Sequence, residues 1–480
     1  MGRGLDEAPP HSLVQLRDTG PMGRALETDY LVIGAGAAGM AFTDAVLDHS
    51  DAHVTLVDRR DAVGGHWRDA YPFVRLHQAS PFYGVASTPF GGALQTSGPE
   101  AGLHERATGA EVCAYYERVL HERFEPSGRF TFLGGHDVSD GGRVVALGSG
   151  AEREVRVRRR VVDARYLSPR IPALEPPPFE VSDDVTCVPV GELPFVAESA
   201  RSFVVVGSGK TATDAIVWLL GRGVSPEEVC WVRPRDPWML DRAVVQPDPA
   251  VFLSMAASLM EAGAAAASVD EFFLRLEDDG VMLRLDPGVV PTMARVPTLA
   301  RWELELLRTV ENVVRRGHVR RVSPGRVLLD GGDVRVGAGA VVVHCAAPGL
   351  RRRAALPIWS AGRMVLQPVR AGFPCFGAAL VGYVEATRPS WSEADLNALC
   401  PATPYFSTPA EWVGIQAAGA RAVGAFMAAP DVAEWSHSTP LNPTRLTAGD
   451  RERDEVREAI GRLKATSEAG VRGMVRLGRA

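Results

Sequence analysis

Two glycine-rich turns, each set between an apolar strand pattern and a helix pattern, constrain this 480-residue chain more than any other feature. The first is Gly34-Ala-Gly36-Ala-Ala38-Gly39, directly after Thr28-Asp-Tyr-Leu-Val-Ile33. The second is Gly207-Ser-Gly209-Lys210-Thr211-Ala212, directly after Phe203-Val-Val-Val206. Closely spaced glycines at such a position allow a tight turn, let a pyrophosphate approach the backbone, and let the following helix pack against its strand. The free N–H groups and positive end of that helix then face the phosphates. Residues 34 and 207 are far enough apart for a complete domain between them. The fold class expected is therefore α/β, with two Rossmann-like dinucleotide-binding domains.

In the first unit a second buried-strand pattern, His53-Val-Thr-Leu-Val-Asp58, ends in an acid placed to accept the ribose hydroxyls of an adenosine. In the second unit the corresponding strand, Val229-Cys-Trp-Val232, is followed by Arg233-Pro-Arg235. Two guanidiniums favour a 2′-phosphate, so NADPH is expected over NADH; the alternative is an exposed basic turn. Lys210, one of the chain's two lysines with Lys464, is read either as a phosphate contact or as a solvated surface residue.

The expected organisation is a mobile N-terminal arm over 1–26, the first nucleotide domain over 27–185, and the second over 186–340. A helical insertion is expected at about 236–316, with helices near Pro249 to Ala265, Val269 to Leu276 and Thr298 to Val314. Residues 341–390 should return to the first domain, and 391–480 form a helical and loop-like segment. Runs at Arg129 to Leu133, Arg143 to Leu147 and Glu154 to Asp163 read as a β-meander.

With a net charge of −6 and 7% aromatic residues, the chain lacks the basic excess of a nucleic-acid binder. Its six cysteines form no CxxC pair, which argues against dithiol redox chemistry and zinc knuckles, and no metal site is expected. No signal-peptide or membrane-spanning pattern is apparent, so a cytoplasmic protein with reduced thiols is expected, with no membrane partner. A homo-oligomer is compatible with the sequence.

Asp58 is followed by Arg59-Arg60 and by Gly64-Gly65-His66-Trp67, the addition that separates a flavin site from a plain nicotinamide site. With these residues, and with Tyr71-Pro-Phe-Val-Arg75-Leu-His77-Gln78, the chain resembles the class B flavoprotein monooxygenases: flavin-containing monooxygenases and their N-hydroxylating and Baeyer–Villiger relatives. The resemblance runs from about Asp29 to Ala386 and is concentrated in the motifs. It implies FAD on the first domain (Gly34, Gly36, Ala38, Gly39, Asp58, Arg59, Gly65, Trp67, Gln78) and NADPH on the second (Gly207, Gly209, Lys210, Thr211, Arg233, Arg235). It also implies that flavin reduced by NADPH reacts with O2 to a C4a-(hydro)peroxyflavin, which transfers one oxygen atom to a small organic substrate, with N-hydroxylation of an amine or amino acid favoured. Gln78 is the leading active-site candidate, since an amide can both donate and accept. His66, His77 and Arg75 are the other candidates for the active-site floor, against a purely structural role.

The sequence departs from the family pattern before the second fingerprint. Where Phe-x-Gly-x-x-x-His is expected, Pro189-Val-Gly191-Glu-Leu-Pro-Phe195 keeps the glycine and neither flanking residue. This leaves open an FAD-dependent NADPH oxidoreductase that reduces an organic acceptor without oxygen insertion, and a non-catalytic flavin protein. Trp238, Arg242, Arg295 and Arg301 in the insertion, and the stretch Leu366 to Ala386, are the candidate pocket walls. The arginines are compatible with an anionic or amino-acid substrate or with a solvated helix face.

Overall fold

The computed structural model describes residues 25–350, 353–370 and 372–479. Most of the expected N-terminal arm, residues 1–24, lies outside the described residues, and Leu26 already opens the first strand, Leu26–Ile33.

That strand lies inside a six-stranded sheet in the order Trp359–Ser360, Arg363–Val365, Val155–Asp163, Leu26–Ile33, Val54–Asp58, Phe130–Gly134. All pairings are parallel except the hairpin between the first two. Val54–Asp58 is buried at every position, as a parallel strand covered on both faces requires. The helix Ala37–His49 covers one face and packs against Pro374–Thr387. The approach is close because a Cβ on Gly382 would lie 2.8 Å from the carbonyl oxygen of Phe42.

The second sheet is wholly parallel, in the order Val313–Val314, Val229–Val232, Phe203–Val206, Val341–His344, Cys187–Pro189. Its strands are short and rich in β-branched residues, as buried parallel strands are.

Several expectations are corrected here. Phe130–Gly134 is an edge strand of the first sheet, since Thr131 pairs with Thr55 in parallel register, and Val155–Asp163 is one of its inner strands. The meander is the smaller set His136–Val138, Val144–Ala146, Glu152–Arg153. Val341–His344 does not begin the return to the first domain: it is the partner of Phe203–Val206 and belongs to the second sheet. Glu180–Val181 likewise pairs with Val319–Ser323, so the chain leaves the first unit before residue 185.

The insertion is not purely helical. Pro237–Asp241 pairs with Met282–Arg284 and Met293–Leu299 in a three-stranded sheet, flanked by helices Pro249–Ala265, Val269–Asp278 and Arg301–Arg308. Thr298 is therefore the end of a strand, whose Val296-Pro297 step removes one ladder donor without ending the extended conformation. The C-terminal helix Asp454–Leu477 packs on Pro249–Ala265 through glycines: a Cβ on Gly263 would lie 2.7 Å from the Gly470 oxygen, and one on Gly473 would overlap the Gly263 oxygen. Among the described residues no helix is long and apolar enough to cross a membrane.

Candidate active site

The first glycine turn closes on itself. Gly34 has φ +109, a conformation that side chains resist, and a Cβ on Gly39 would overlap the Gly34 carbonyl oxygen. Asp58, buried at its strand end, uses both carboxylate oxygens: Oδ2 accepts from Ala35 N at 2.7 Å and Oδ1 from Arg60 N at 2.9 Å. Each oxygen keeps a further lone pair, so the acid ties the turn to the strand and can still accept from a ribose hydroxyl.

Gly65 accounts for the double glycine. Its φ is +58, and a Cβ on it would stand 2.8 Å from the Cα of Gly36. The two backbones thus pack face to face, which bars a side chain at position 65. Arg59 projects from the strand end, 71% exposed and 3.6 Å from Asp137.

Beyond Gly65 the chain crosses toward the second unit. Trp67 Nε1 donates to Tyr83 Oη at 2.6 Å. Phe73 stacks on Trp218 of the helix Lys210–Gly221 with centroids 5.1 Å apart. Tyr71 donates its hydroxyl to Asp214 Oδ2 at 2.6 Å, and the other oxygen of Asp214 pairs with Lys210 Nζ. Burial and the Asp214 charge push the Tyr71 phenol well above its usual range, so it remains a donor. Residues 71–78 therefore bridge the two glycine turns.

Gln78 is buried and, among the described residues, its amide makes no hydrogen bond. His77 is enclosed, with Nδ1 unpartnered; burial and the charges of Lys210 and Arg242 push its ring down to about 3. His66 lies beside Trp67, and burial with the neighbouring Arg60 brings it to about 4. Both rings are neutral at physiological pH, which suits packing or hydrogen bonding better than proton transfer. Arg75 is not gathered with them: it is exposed, and its guanidinium donates to the Arg106 carbonyl.

Because an unfolded histidine takes its proton near 6.5 and these two resist until about 4 and 3, the unfolded state binds more protons below 6.5. Stability contributed by the neutral rings is full above that pH and is lost as pH falls toward 4. Each ring adds a slope of up to about 1.4 kcal/mol per pH unit. Denaturant titrations at successive pH values should show His77→Gln with a shallower loss than wild type between pH 6.5 and 4; an unchanged slope would contradict this.

The second turn is open where the first is closed. A Cβ on Gly209 would meet nothing within 4 Å, and the neighbouring Ser208 Oγ is buried without a partner. An open backbone beside an unsatisfied hydroxyl, at the start of a helix, fits a bound phosphate. Thr211 lies in the first turn of that helix. Lys210 is held by Asp214, away from the solvated alternative.

The two arginines after Val232 part company. Arg233 is buried, 4.4 Å over the Trp231 ring and 2.9 Å from Asp236, with burial lowering its guanidinium to about 10. Arg235 is exposed. Only Arg235 is free to meet a 2′-phosphate as the sequence reading expected of both.

A buried ion cluster, which the motifs did not reveal, locks the insertion to the bridging loop. Arg242 is fully buried and donates to Glu100 Oε1 at 2.5 Å, to Glu303 Oε2 at 2.7 Å and to the His77 carbonyl at 3.4 Å. Arg106 donates to both oxygens of Glu100, at 2.8 and 3.1 Å. Burial opposes ionisation of Glu100, yet Arg106 and Arg242 hold it at about 2. Arg242 is therefore neutralised and unavailable to a substrate anion. Arg301 is largely exposed and bonded to Asp241 at 2.8 Å, and Trp238 is buried against Phe273 at 5.2 Å.

A family model for an NAD(P)-binding Rossmann-like domain matches residues 32–78. The uncharacterized protein Rv2000 of Mycobacterium tuberculosis is 40% identical over 446 residues, covering 90% of this chain and 82% of the relative. Protein Mb2023 of Mycobacterium bovis matches to the same extent. The chain belongs to the family of these mycobacterial proteins. For this family the solved polycyclic ketone monooxygenase of Thermothelomyces thermophila supplies a likeness of fold: TM-score 0.50, 14% identity, covering 95% of this chain and 91% of that one. The chain shares the overall fold of that solved protein; its own two large sheets, one wholly and one largely parallel, each carry a glycine turn after an inner strand.

Proposed function

We propose that the chain is an FAD- and NADPH-dependent monooxygenase that places one atom of O2 on a small organic substrate, with N-hydroxylation of an amine or amino acid favoured, in the cytoplasm. The observation that carries this reading is the bridging loop. Tyr71 reaches Asp214 on the second glycine helix while Gln78 lies buried on the same loop with a free amide.

The turn at Gly34, Gly36 and Gly39, with Asp58 and Gly65, would hold the adenosine pyrophosphate of FAD. Gly209, Ser208 and the helix starting at Lys210 would take the phosphates of NADPH, with Arg235 on the 2′-phosphate. When bound, the flavin supplies hydride acceptance and electron delivery to oxygen. The protein's share is orientation and exclusion of water, and Gln78 is the group placed to hold a proton-bearing atom by donating and accepting at once.

Arg235→Ala is expected to weaken NADPH by about 1.5–3 kcal/mol, the value of a charged hydrogen bond, while NADH is unaffected. Arg233→Ala should lower the melting temperature instead, since it uncovers Trp231 and leaves the buried Asp236 with Arg315 alone of its two arginines. Steady-state KM values for both nucleotides, beside thermal unfolding, check this; NADPH preference lost with Arg233 alone would reverse the assignment.

The test of the reaction class is NADPH consumption with and without oxygen. The proposal expects a single flavin reduction under anaerobic conditions and sustained consumption only with O2. Sustained anaerobic consumption in the presence of a quinone would favour the NADPH oxidoreductase alternative left open by the altered stretch at Pro189 to Phe195.

A further inference from the structure

Arginine is abundant in this chain, and four of its buried or half-buried copies are matched by acids: Arg242 by Glu100 and Glu303, Arg106 by Glu100, Arg233 by Asp236, Arg160 by Glu385. Arg370 is different. It stands in the stretch between the strand Arg363–Val365 and the helix Pro374–Thr387, and no carboxylate pairs with it among the described residues. Its partners are neutral: NH1 donates to Thr444 Oγ1 at 2.9 Å and lies 3.4 Å from Asn442 Oδ1. The guanidinium carbon is 5.5 Å from the Phe252 ring centroid and 5.7 Å from that of Phe373.

These rings pack edge-on with Phe82, whose centroid is 5.3 Å from Phe373 and 6.2 Å from Phe252, and all three are buried. Phe82 belongs to the turn Ser80–Phe82, next to Gln78 on the bridging loop. The stretch bearing Arg370 is fixed on the other side by Thr403, whose backbone N–H and hydroxyl both donate to the Pro368 carbonyl, at 2.7 and 2.9 Å.

A cation enclosed by protein without a counter-charge is costly, and burial lowers the Arg370 guanidinium to about 10. Yet the residue keeps accessible surface, and among the described residues the edge formed by Nε–H and NH2 has no acceptor. That edge presents two parallel N–H donors, the geometry that matches a carboxylate bidentately. A phosphate dianion would call for more positive charge than one guanidinium supplies.

We propose that Arg370, set over the Phe252 and Phe373 rings with its Nε–H and NH2 edge unpaired, is the recognition site for the carboxylate of an organic acid. The proposal rests on the monooxygenase reading for what becomes of the bound acid: the substrate class is then a carboxylic acid anchored at Arg370. Arg370 keeps the free donor edge that the named insertion arginines do not: Arg242 is held by Glu100 and Glu303, Arg301 by Asp241, and Arg295 bonds the Tyr405 side chain.

Titration calorimetry of the FAD-loaded protein with phenylacetate and with its neutral amide, phenylacetamide, tests the site without NADPH or oxygen. Phenylacetate is expected to bind at least tenfold more tightly. Arg370→Met should abolish the preference at unchanged flavin content, and so should Asn442→Asp, which sets a counter-charge beside the guanidinium and decides the matter if Arg370→Met does not fold. Equal binding of acid and amide, binding of neither, or a preference that survives in both variants would overturn the proposal. Acid binding in a protein that never consumes NADPH would instead defeat the monooxygenase reading and leave the site standing.

Discussion

Arg242→Met is expected to lower unfolding free energy by about 3–5 kcal/mol, because removing one member of a buried ion cluster leaves its partners charged and unpaired. The partners here are Glu100 and Glu303, both buried, with Arg106 as the one ion-pair partner left to them among the described residues. The variant also removes the Arg242 donors to the His77 carbonyl and to Thr298, leaving the Thr298 hydroxyl as the donor that ties the insertion to that carbonyl on the bridging loop. Changing Glu303 to Gln in the same chain should recover part of the loss, since one stranded charge disappears. Urea unfolding of the three proteins measures this; a loss below about 1 kcal/mol, the scale of an exposed pair, would mean that water reaches the cluster.

The second large effect concerns the first glycine turn. Gly39→Ala puts a methyl group into the Gly34 carbonyl oxygen, so the helix Ala37–His49 must move off the turn. Flavin affinity should fall by about two orders of magnitude, roughly 2.7 kcal/mol. Gly36→Val should do the same by filling the space of the pyrophosphate, its Cβ being in ordinary contact with the Gly65 Cα at 3.6 Å. Gly209→Ala is the contrasting case: its Cβ meets no protein atom, so flavin content should stay and only the NADPH KM rise. Equal flavin content in wild type and Gly39→Ala would remove the first turn from the cofactor site.

Both turns, their strands and the acid at Asp58 were legible because these features are local: strand, glycines and helix follow one another within a few residues. The parallel partners were less so. Phe130–Gly134 joins the first sheet and Val341–His344 the second, against the sequence expectation, since a short apolar strand carries no mark of which sheet it joins. Arg233 and Arg235 look alike in sequence and differ in space, because a Trp two positions before Arg233 offers a face to stack on and Asp236 an acid to bond. The Glu100–Arg106–Arg242–Glu303 cluster joins residues from distant parts of the chain, and no spacing rule could have found it. Arg75 was placed by its nearness to Gln78 in sequence, but it bridges to Thr108 in the extended pairing and turns outward.

The central claim, that this fold transfers oxygen instead of merely passing electrons, is tested most directly by turnover with NADPH under ¹⁸O2. Mass spectrometry of the products from a panel of amines, amino acids, ketones and sulfides, including carboxylic acids, should find one ¹⁸O atom in the oxidised substrate and the second in water. Products carrying only solvent oxygen, or none, with all the consumed oxygen appearing as hydrogen peroxide throughout the panel, would contradict the account.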